Sequence, residues 1–330
     1  MSETIQWGIL GTGKIAHKFA EALAVVADAE LSAVGSRAQG TADAFGDEFE
    51  VPRRHPSYAS LAEDPEIDAI YVSTPHPMHC RDTLLCLNAD KPVLCEKPFA
   101  LNASEAEAMI RCARQRGLFL MEAMWTRFLP AIAQVRQWLV DGAIGEVRNM
   151  MADFGFRAGF NPEGRLLNPE LGGGALLDIG VYIVSMASMV YGQQPDRVAA
   201  LADIGTTGVD EQTTMAFRYD SGAMAALTCA VRTNTPGAVS IHGTQGNIRI
   251  PSAFYDTYTA TLNADGKEPV TVEPPRVENG FKYEIEEAGR CLREGLLETP
   301  ALPLDETLAI MKTLDAVRAE IGLKYPVEAS

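Results

Sequence analysis

The sequence predicts a doubly wound parallel α/β domain followed by an α+β domain, and three observations carry that prediction. Short apolar runs alternate with helical stretches through the first third of the chain. A glycine-rich turn joins the first run to the first helix. Beyond about Glu122 the pattern changes to strand-like segments, several joined by short turns containing Gly.

Taken in order, "IQWGIL" is the first strand, and Ile15, Phe19, Leu23 and Val26 share one face of the helix that follows. "LSAVGS" is a second strand. "IDAIYVSTP" and "PVLCEKP" are a third and fourth, both stopped by proline. Asn102 starts a helix with Glu105 in capping-box position and Gly117 at its end, before the strand "LFLMEA". The first domain is therefore placed at residues 1–122 and the second at 123–330. In the second, "EVRNMMADFGF", "DRVAALAD", "EQTTMAFRYDSGAMAALTCAV", "AVSIHGTQGNIRI" and "TYTATLN" read as an antiparallel meander, with hairpin loops at "DSG" and "TQG". Two helices close the chain. Phe281, Ile285, Ala288 and Leu292 point inward from one; Leu308, Met311, Leu314, Val317 and Ile321 form the stripe of the other, which ends at Gly322.

The 330 residues are 47% hydrophobic and 22% charged, enough to build a full core in about two domains. A net charge of -16 repels nucleic acid and anionic membranes, so neither is expected as a partner. No run of about 18 uncharged apolar residues suggests a membrane span, and the N-terminus lacks the pattern of a secretory signal. The six cysteines are scattered and read as reduced thiols of a cytoplasmic protein. His76, His79 and Cys80 stand close together in "HPMHC", but no second ligand cluster follows, so no metal is expected.

"GILGTGKIA" places Gly11, Gly13 and Ala16 as G-x-G-x-x-A between a strand and a helix. The first glycine permits the tight turn, the second lets a pyrophosphate approach the backbone, and the small third residue lets helix pack on strand. With Thr12, Lys14 and Ile15, this loop offers helix N-terminal N–H groups to a dinucleotide. At the end of the second strand "VGSRAQG" has no acid for a ribose hydroxyl; Ser36 and Arg37 stand there instead, and an arginine pairs with a 2′-phosphate. NADP is expected over NAD.

"LGGGALLDIGVY" is the third informative stretch. An almost wholly apolar helix carries one carboxylate, Asp178, and Tyr182 four residues on, stacked on one face. Burying an unpaired carboxylate is costly, which marks Asp178 as a candidate for function. The three glycines before it are expected to bring the backbone close to cofactor or substrate. "CEKPFALN" puts Glu96 and Lys97 at the end of a strand, where ligands bind in open α/β sheets.

"GILGTGKIA", "YVSTPHPMH", "CEKPFALN", "MEAMWTRFLP" and "LGGGALLDIGVY" occur in the order found in the glucose–fructose oxidoreductase/inositol dehydrogenase (Gfo/Idh/MocA) family, which the chain resembles over nearly its whole length. "MEAMWTRFLP" with "NPELGGGALLDIGVY" is similar to the branch containing dimeric dihydrodiol dehydrogenase and NADP-dependent D-xylose 1-dehydrogenase. The resemblance implies an α/β Rossmann domain, then an α+β domain with an open, mainly antiparallel sheet that serves as a homodimer interface. It implies that Lys97 is the acid/base residue or helps position it, and that Asp178 and Tyr182 face the active site. Many family members have histidine where this chain has Tyr182, so a tyrosine–lysine pair replaces a histidine relay as the working expectation. Thr74, Pro75, His76 and His79 are expected to border the cofactor, with His79 as a base the less favoured role. Trp125 and Phe154 resemble walls of a substrate pocket, and Arg127 is left between cofactor and a neighbouring carboxylate. The expected activity is an NADP-dependent dehydrogenase of a sugar, cyclic polyol or trans-dihydrodiol. An NAD-dependent sugar dehydrogenase and a nucleotide-sensing regulator without turnover are the alternatives.

Overall fold

The computed structural model describes residues 4–329. The first sheet is built from β1 (Ile5–Leu10), β2 (Ala29–Gly35), β3 (Arg53–His55), β4 (Ala69–Val72), β5 (Val93–Glu96) and β6 (Leu120–Ala123). All its pairings are parallel, in the order β3-β2-β1-β4-β5-β6. Helices α1 (Lys14–Leu23), α2 (Gln39–Glu48), α3 (Tyr58–Ala62), α4 (His79–Asn88) and α5 (Ala103–Arg116) connect the strands. This is the Rossmann arrangement that the alternation of runs and helices predicts. Strands β1, β4, β5 and β6 are almost wholly buried, as strands covered on both faces must be. At α5 the Asn102 side chain accepts the Glu105 N–H at 3.0 Å, and Gly117 ends the helix at φ 64°.

The second sheet contains β7 (Val147–Gly155), β8 (Arg197–Ile204), β9 (Asp210–Arg218), β10 (Met224–Ala230), β11 (Val239–Gly243), β12 (Gly246–Ile250), β13 (Ala260–Ala264) and β14 (Val270–Val272). Its order is β14-β13-β12-β11-β7-β10-β9-β8. Every pairing is antiparallel except that of β7 with β10. The sheet is mainly antiparallel, as expected, but it is not the simple meander that its segments suggest. The chain instead leaves β7 through a crossover carrying α7 (Val181–Tyr191), and β7 ends up between β10 and β11. Helix α6 (Pro130–Val140) precedes this sheet, and α7 packs on β7 and β10. Pro169–Tyr191 is a helical stretch long and apolar enough to cross a membrane, but its most apolar window is entirely buried within the protein.

The chain divides into two compact units, and the division differs from the boundary placed after residue 122. The first unit runs through Trp125 and takes back Val277–Leu308; the second holds Thr126–Arg276 and the residues from Ala309. The physical reason lies in α8 (Lys282–Glu294). Its stripe of Ile285, Ala288, Cys291 and Leu292 is buried, and it packs beside α1. Leu120 of the edge strand β6 donates its N–H to Leu297, so the returning segment also covers a sheet edge. The last helix, α9 (Leu304–Ile321), starts in the first unit and ends in the second.

Candidate active site

In the first unit the turn after β1 has the geometry its glycines require. Gly11 sits at φ +107°, and a Cβ there would lie 3.0 Å from Ser73 Oγ. At Gly13 no described atom beyond the glycine and its chain neighbours lies within 4 Å of the Cβ position, so the space above the turn is open. Ala16 is fully buried against the sheet, and no side chain caps the start of α1. Helix N–H groups, open backbone and a small packing residue together fit a dinucleotide pyrophosphate.

At the end of β2, Ser36 is buried and exchanges hydroxyl contacts with Thr41 at 2.6 Å and Thr12 at 3.4 Å. Arg37 is exposed and lines a cavity of about 670 Å³ with Tyr58, Arg81, Leu85 and Asn88. Tyr58 and Arg81 carry no motif signal, and only their place beside Arg37 brings them forward.

His76 and His79 are both buried after β4. The two ring nitrogens of His79 lie 2.8 Å from the Pro98 carbonyl and 2.7 Å from the Thr74 carbonyl. Burial pulls its pKa down while those carbonyls oppose the shift. The imidazole thus sits between the turn after β4 and the turn after Lys97, and in its neutral form its one N–H donates to one of the two carbonyls. Among the described residues no three His, Cys, Asp or Glu side chains gather as a metal site would need.

Glu96, at the end of β5, is buried. Its carboxylate accepts the Tyr71 hydroxyl and, at 3.1 Å, the backbone N–H of Lys97. Lys97 itself is half-buried. Glu96 has an electrostatic neighbour that none of the sequence motifs contains. Glu284 of α8 is 0% exposed, and neither carboxylate oxygen has a hydrogen-bond partner among the described residues. Burial, with Glu96 adding to it, pushes the Glu284 carboxyl well above the usual range. One signal was available: Glu284 stands one turn before Ala288 on the inward stripe of an amphipathic helix. Trp125 stacks on Phe281 in this unit, with ring centroids 5.1 Å apart.

In the second unit the last two of the three glycines lie against protein atoms, and Gly172 ends the preceding turn at φ 66°. A Cβ on Gly173 would stand 2.9 Å from the carbonyl oxygens of both Asn168 and Leu166. One on Gly174, at φ +116°, would stand 2.2 Å from Asp210 Oδ1. The backbone then enters a π turn, Leu176–Gly180, before α7 begins. The expected regular helix is therefore widened where Asp178 stands, a feature that recurs at functional sites.

Asp178 is 3% exposed and accepts two hydrogen bonds from Arg165, 2.5 Å from Nη1 to Oδ1 and 3.4 Å from Nη2 to Oδ2. Arg165 lies in the loop before the glycines, and no spacing rule would have paired the two. Tyr182 is buried with its ring against Phe154 and Tyr255, at centroid distances of 5.5 and 6.5 Å. Phe154 and Tyr255 stack face to face at 4.2 Å. Arg127 is buried and donates to the Ser185 carbonyl at 3.1 Å, so it braces α7.

The glycine turn after β1, at the carboxyl end of a parallel sheet, fits a dinucleotide-binding oxidoreductase. Residues 5–124 match the oxidoreductase family with an NAD-binding Rossmann fold, and residues 132–249 match the GFO/IDH/MocA C-terminal domain. The chain belongs to the Gfo/Idh/MocA family. A trans-1,2-dihydrobenzene-1,2-diol dehydrogenase from Mus musculus is 37% identical over 330 residues, covering 98% of each chain. An aldose–aldose oxidoreductase from Caulobacter crescentus, solved with glycerol, is 26% identical with a TM-score of 0.87, over 96% of this chain and 97% of the other. A 3-ketoreductase from Actinomadura kijaniata, solved with NADP and TDP-benzene, is 27% identical with a TM-score of 0.85, over 96% of this chain and 98% of the other.

Proposed function

We propose that this protein is an NADP-dependent dehydrogenase acting on a secondary alcohol, or the matching carbonyl, of a trans-dihydrodiol, sugar or cyclic polyol. The observation that carries the reading is Tyr182: a buried phenol with Phe154 and Tyr255 around it, one turn after the ion-paired Asp178. Aromatic faces suit a flat ring bearing adjacent hydroxyls, and the phenol supplies a proton donor or acceptor beside them.

Gly11, Gly13 and the N-terminus of α1 would hold the pyrophosphate, with Ser36 and Arg37 at the 2′-phosphate. The nicotinamide, when bound, supplies or takes the hydride. Tyr182 and Lys97 are the acid/base groups that move the hydroxyl proton at the substrate oxygen. Asp178, held by Arg165, orients them. In this reading the protein is a homodimer, supported by the apolar side chains that the second sheet exposes: Met151, Leu201, Ile204, Met224 and Val270.

The test is a panel of diols, aldoses and polyols with NADP⁺ and NAD⁺ in parallel, read by nicotinamide absorbance. Lys97→Met and Tyr182→Phe should each lower kcat by about 10²–10⁴-fold while NADPH still binds. Unchanged turnover in both variants refutes the roles given to them. NADPH binding with no turnover on any substrate would favour a nucleotide-sensing regulator. Arg37→Asp should move the preference toward NAD; an unmoved cofactor ratio removes Arg37 from the 2′-phosphate.

A further inference from the structure

The π turn under Asp178 is held by a residue outside the motif set. Asp210, the first residue of β9, is 0% exposed. Its Oδ2 accepts the N–H of Leu176 at 2.8 Å and the hydroxyl of Thr213 at 2.7 Å. Leu176 is the first residue of the π turn, two before Asp178 and six before Tyr182. The other oxygen, Oδ1, has no hydrogen-bond partner among the described residues and lies where a Gly174 Cβ would stand. A buried carboxylate from a neighbouring strand thus does the work of an N-cap for a helical turn that does not cap itself.

We propose that Asp210 is a positioning residue for Asp178 and Tyr182, fixing the π turn through the Leu176 N–H. The inference rests on the dehydrogenase reading given above, because it deepens the roles assigned there. Anionic acceptors bind an N–H more strongly than neutral ones, so the clamp is tightest when Asp210 is ionised. Burial raises the Asp210 pKa to about 7, against the hydrogen bonds from Thr213 and Leu176 and the pull of Arg318. The ionisable groups around it are Arg318 of α9, Tyr325 near the C-terminus and Cys229 of β10. Tyr325 and Cys229 are pushed upward by burial, with Asp210 adding to the shift, so neither loses its proton near neutrality. Arg318 is engaged by Asp315 and Glu328. The clamp therefore tightens as pH rises through about 7.

Two readouts test this, one of which needs no substrate. Amide hydrogen exchange of the segment 172–182, corrected for the intrinsic pH dependence, should show protection that rises with a midpoint near pH 7. Asp210→Asn should abolish that midpoint. At pH about 8 it should also lower kcat on the order of tenfold, the difference between a charged and a neutral acceptor, with KM and NADPH affinity within about twofold. Should the Asn variant not fold, Thr213→Val keeps the carboxylate but removes one bond to the anion, and the midpoint should move to higher pH. Protection that is flat with pH in the native protein, a midpoint surviving in Asp210→Asn, or an unmoved midpoint in Thr213→Val overturns the assignment. If no substrate turns over, the exchange measurement still judges Asp210, so the two failures are distinguishable.

Discussion

Replacing Glu284 by methionine should stabilise the first unit, and by more at neutral than at acid pH. Glu284 is wholly buried, with both oxygens unpartnered among the described residues and Glu96 as an electrostatic neighbour. A buried polar group without a partner costs about 1–3 kcal/mol even when neutral. Methionine fills a similar volume, with a packing penalty under about 1.5 kcal/mol. The pH dependence follows from the raised pKa. Below the ordinary value of 4.5 the carboxyl is protonated in both the folded and unfolded chain, and no linkage cost arises. Above it the unfolded carboxyl releases its proton while the buried one keeps it, so native stability declines by about 1.36 kcal/mol per pH unit until the folded group also ionises. Between pH 5 and 7 the gap between Glu284→Met and native protein should widen by up to about 2.7 kcal/mol, two such units. Urea unfolding of both proteins at the two pH values measures it. A gap that stays the same, or a variant less stable at both, would show that Glu284 is neither orphaned nor shifted.

Two further perturbations probe the second unit. Gly174→Ala forces a side chain onto φ +116° with its Cβ 2.2 Å from Asp210 Oδ1, and should cost about 3 kcal/mol or more in a urea melt; a loss under about 1 kcal/mol would mean the loop relaxes away from Asp210. Arg165→Leu removes the bidentate partner of Asp178; because the arginine side chain is 51% exposed, stability should fall by only about 1 kcal/mol, and a double-mutant cycle with Asp178→Asn should return a coupling of that size, whereas a value near zero would make the pair incidental.

The parts of the fold that sequence predicts are those set by local periodicity and capping. The β1 turn and α1, the Asn102 cap, the Gly117 stop and the inward stripe of α8 all depend on residues within a few positions of one another. The helices and strands left out of that reading have weak local signals. β3 and β14 are three residues each and α3 is five, too short for a period to show. α4 has few apolar positions buried on its face. Long-range choices are invisible for a different reason. Nothing near β7 says that it pairs parallel to β10, and nothing in Val277–Leu308 says that it returns to the first unit. Those outcomes depend on which buried surfaces remain uncovered once each sheet has formed.

The candidate site follows the same division. Asp178 and Tyr182 stand out because an acid in an apolar helix is expensive, an argument that needs only neighbouring residues. What makes the acid tolerable comes from elsewhere in the chain: Arg165 is 13 residues before it, and Asp210, which holds the turn, is 34 residues beyond Leu176. In the first unit Glu96 is satisfied by Tyr71 and the Lys97 N–H, while Glu284 has no hydrogen-bond partner among the described residues. Glu96 and Glu284 in the first unit, and Asp178 and Asp210 in the second, are thus carboxylates buried beside or among the groups assigned to the chemistry. In a chain with 44 acidic residues, most stay at the surface, where hydration is free. Two of those taken inside are tied to backbone beside the proposed chemistry: Glu96 to the Lys97 N–H, and Asp210 to the first N–H of the turn under Asp178. A carboxylate buried for packing alone would be replaced by a hydrophobic residue at no loss, so the difference between Glu284→Met and Asp210→Asn in turnover separates an acid kept for position from one that merely burdens the core.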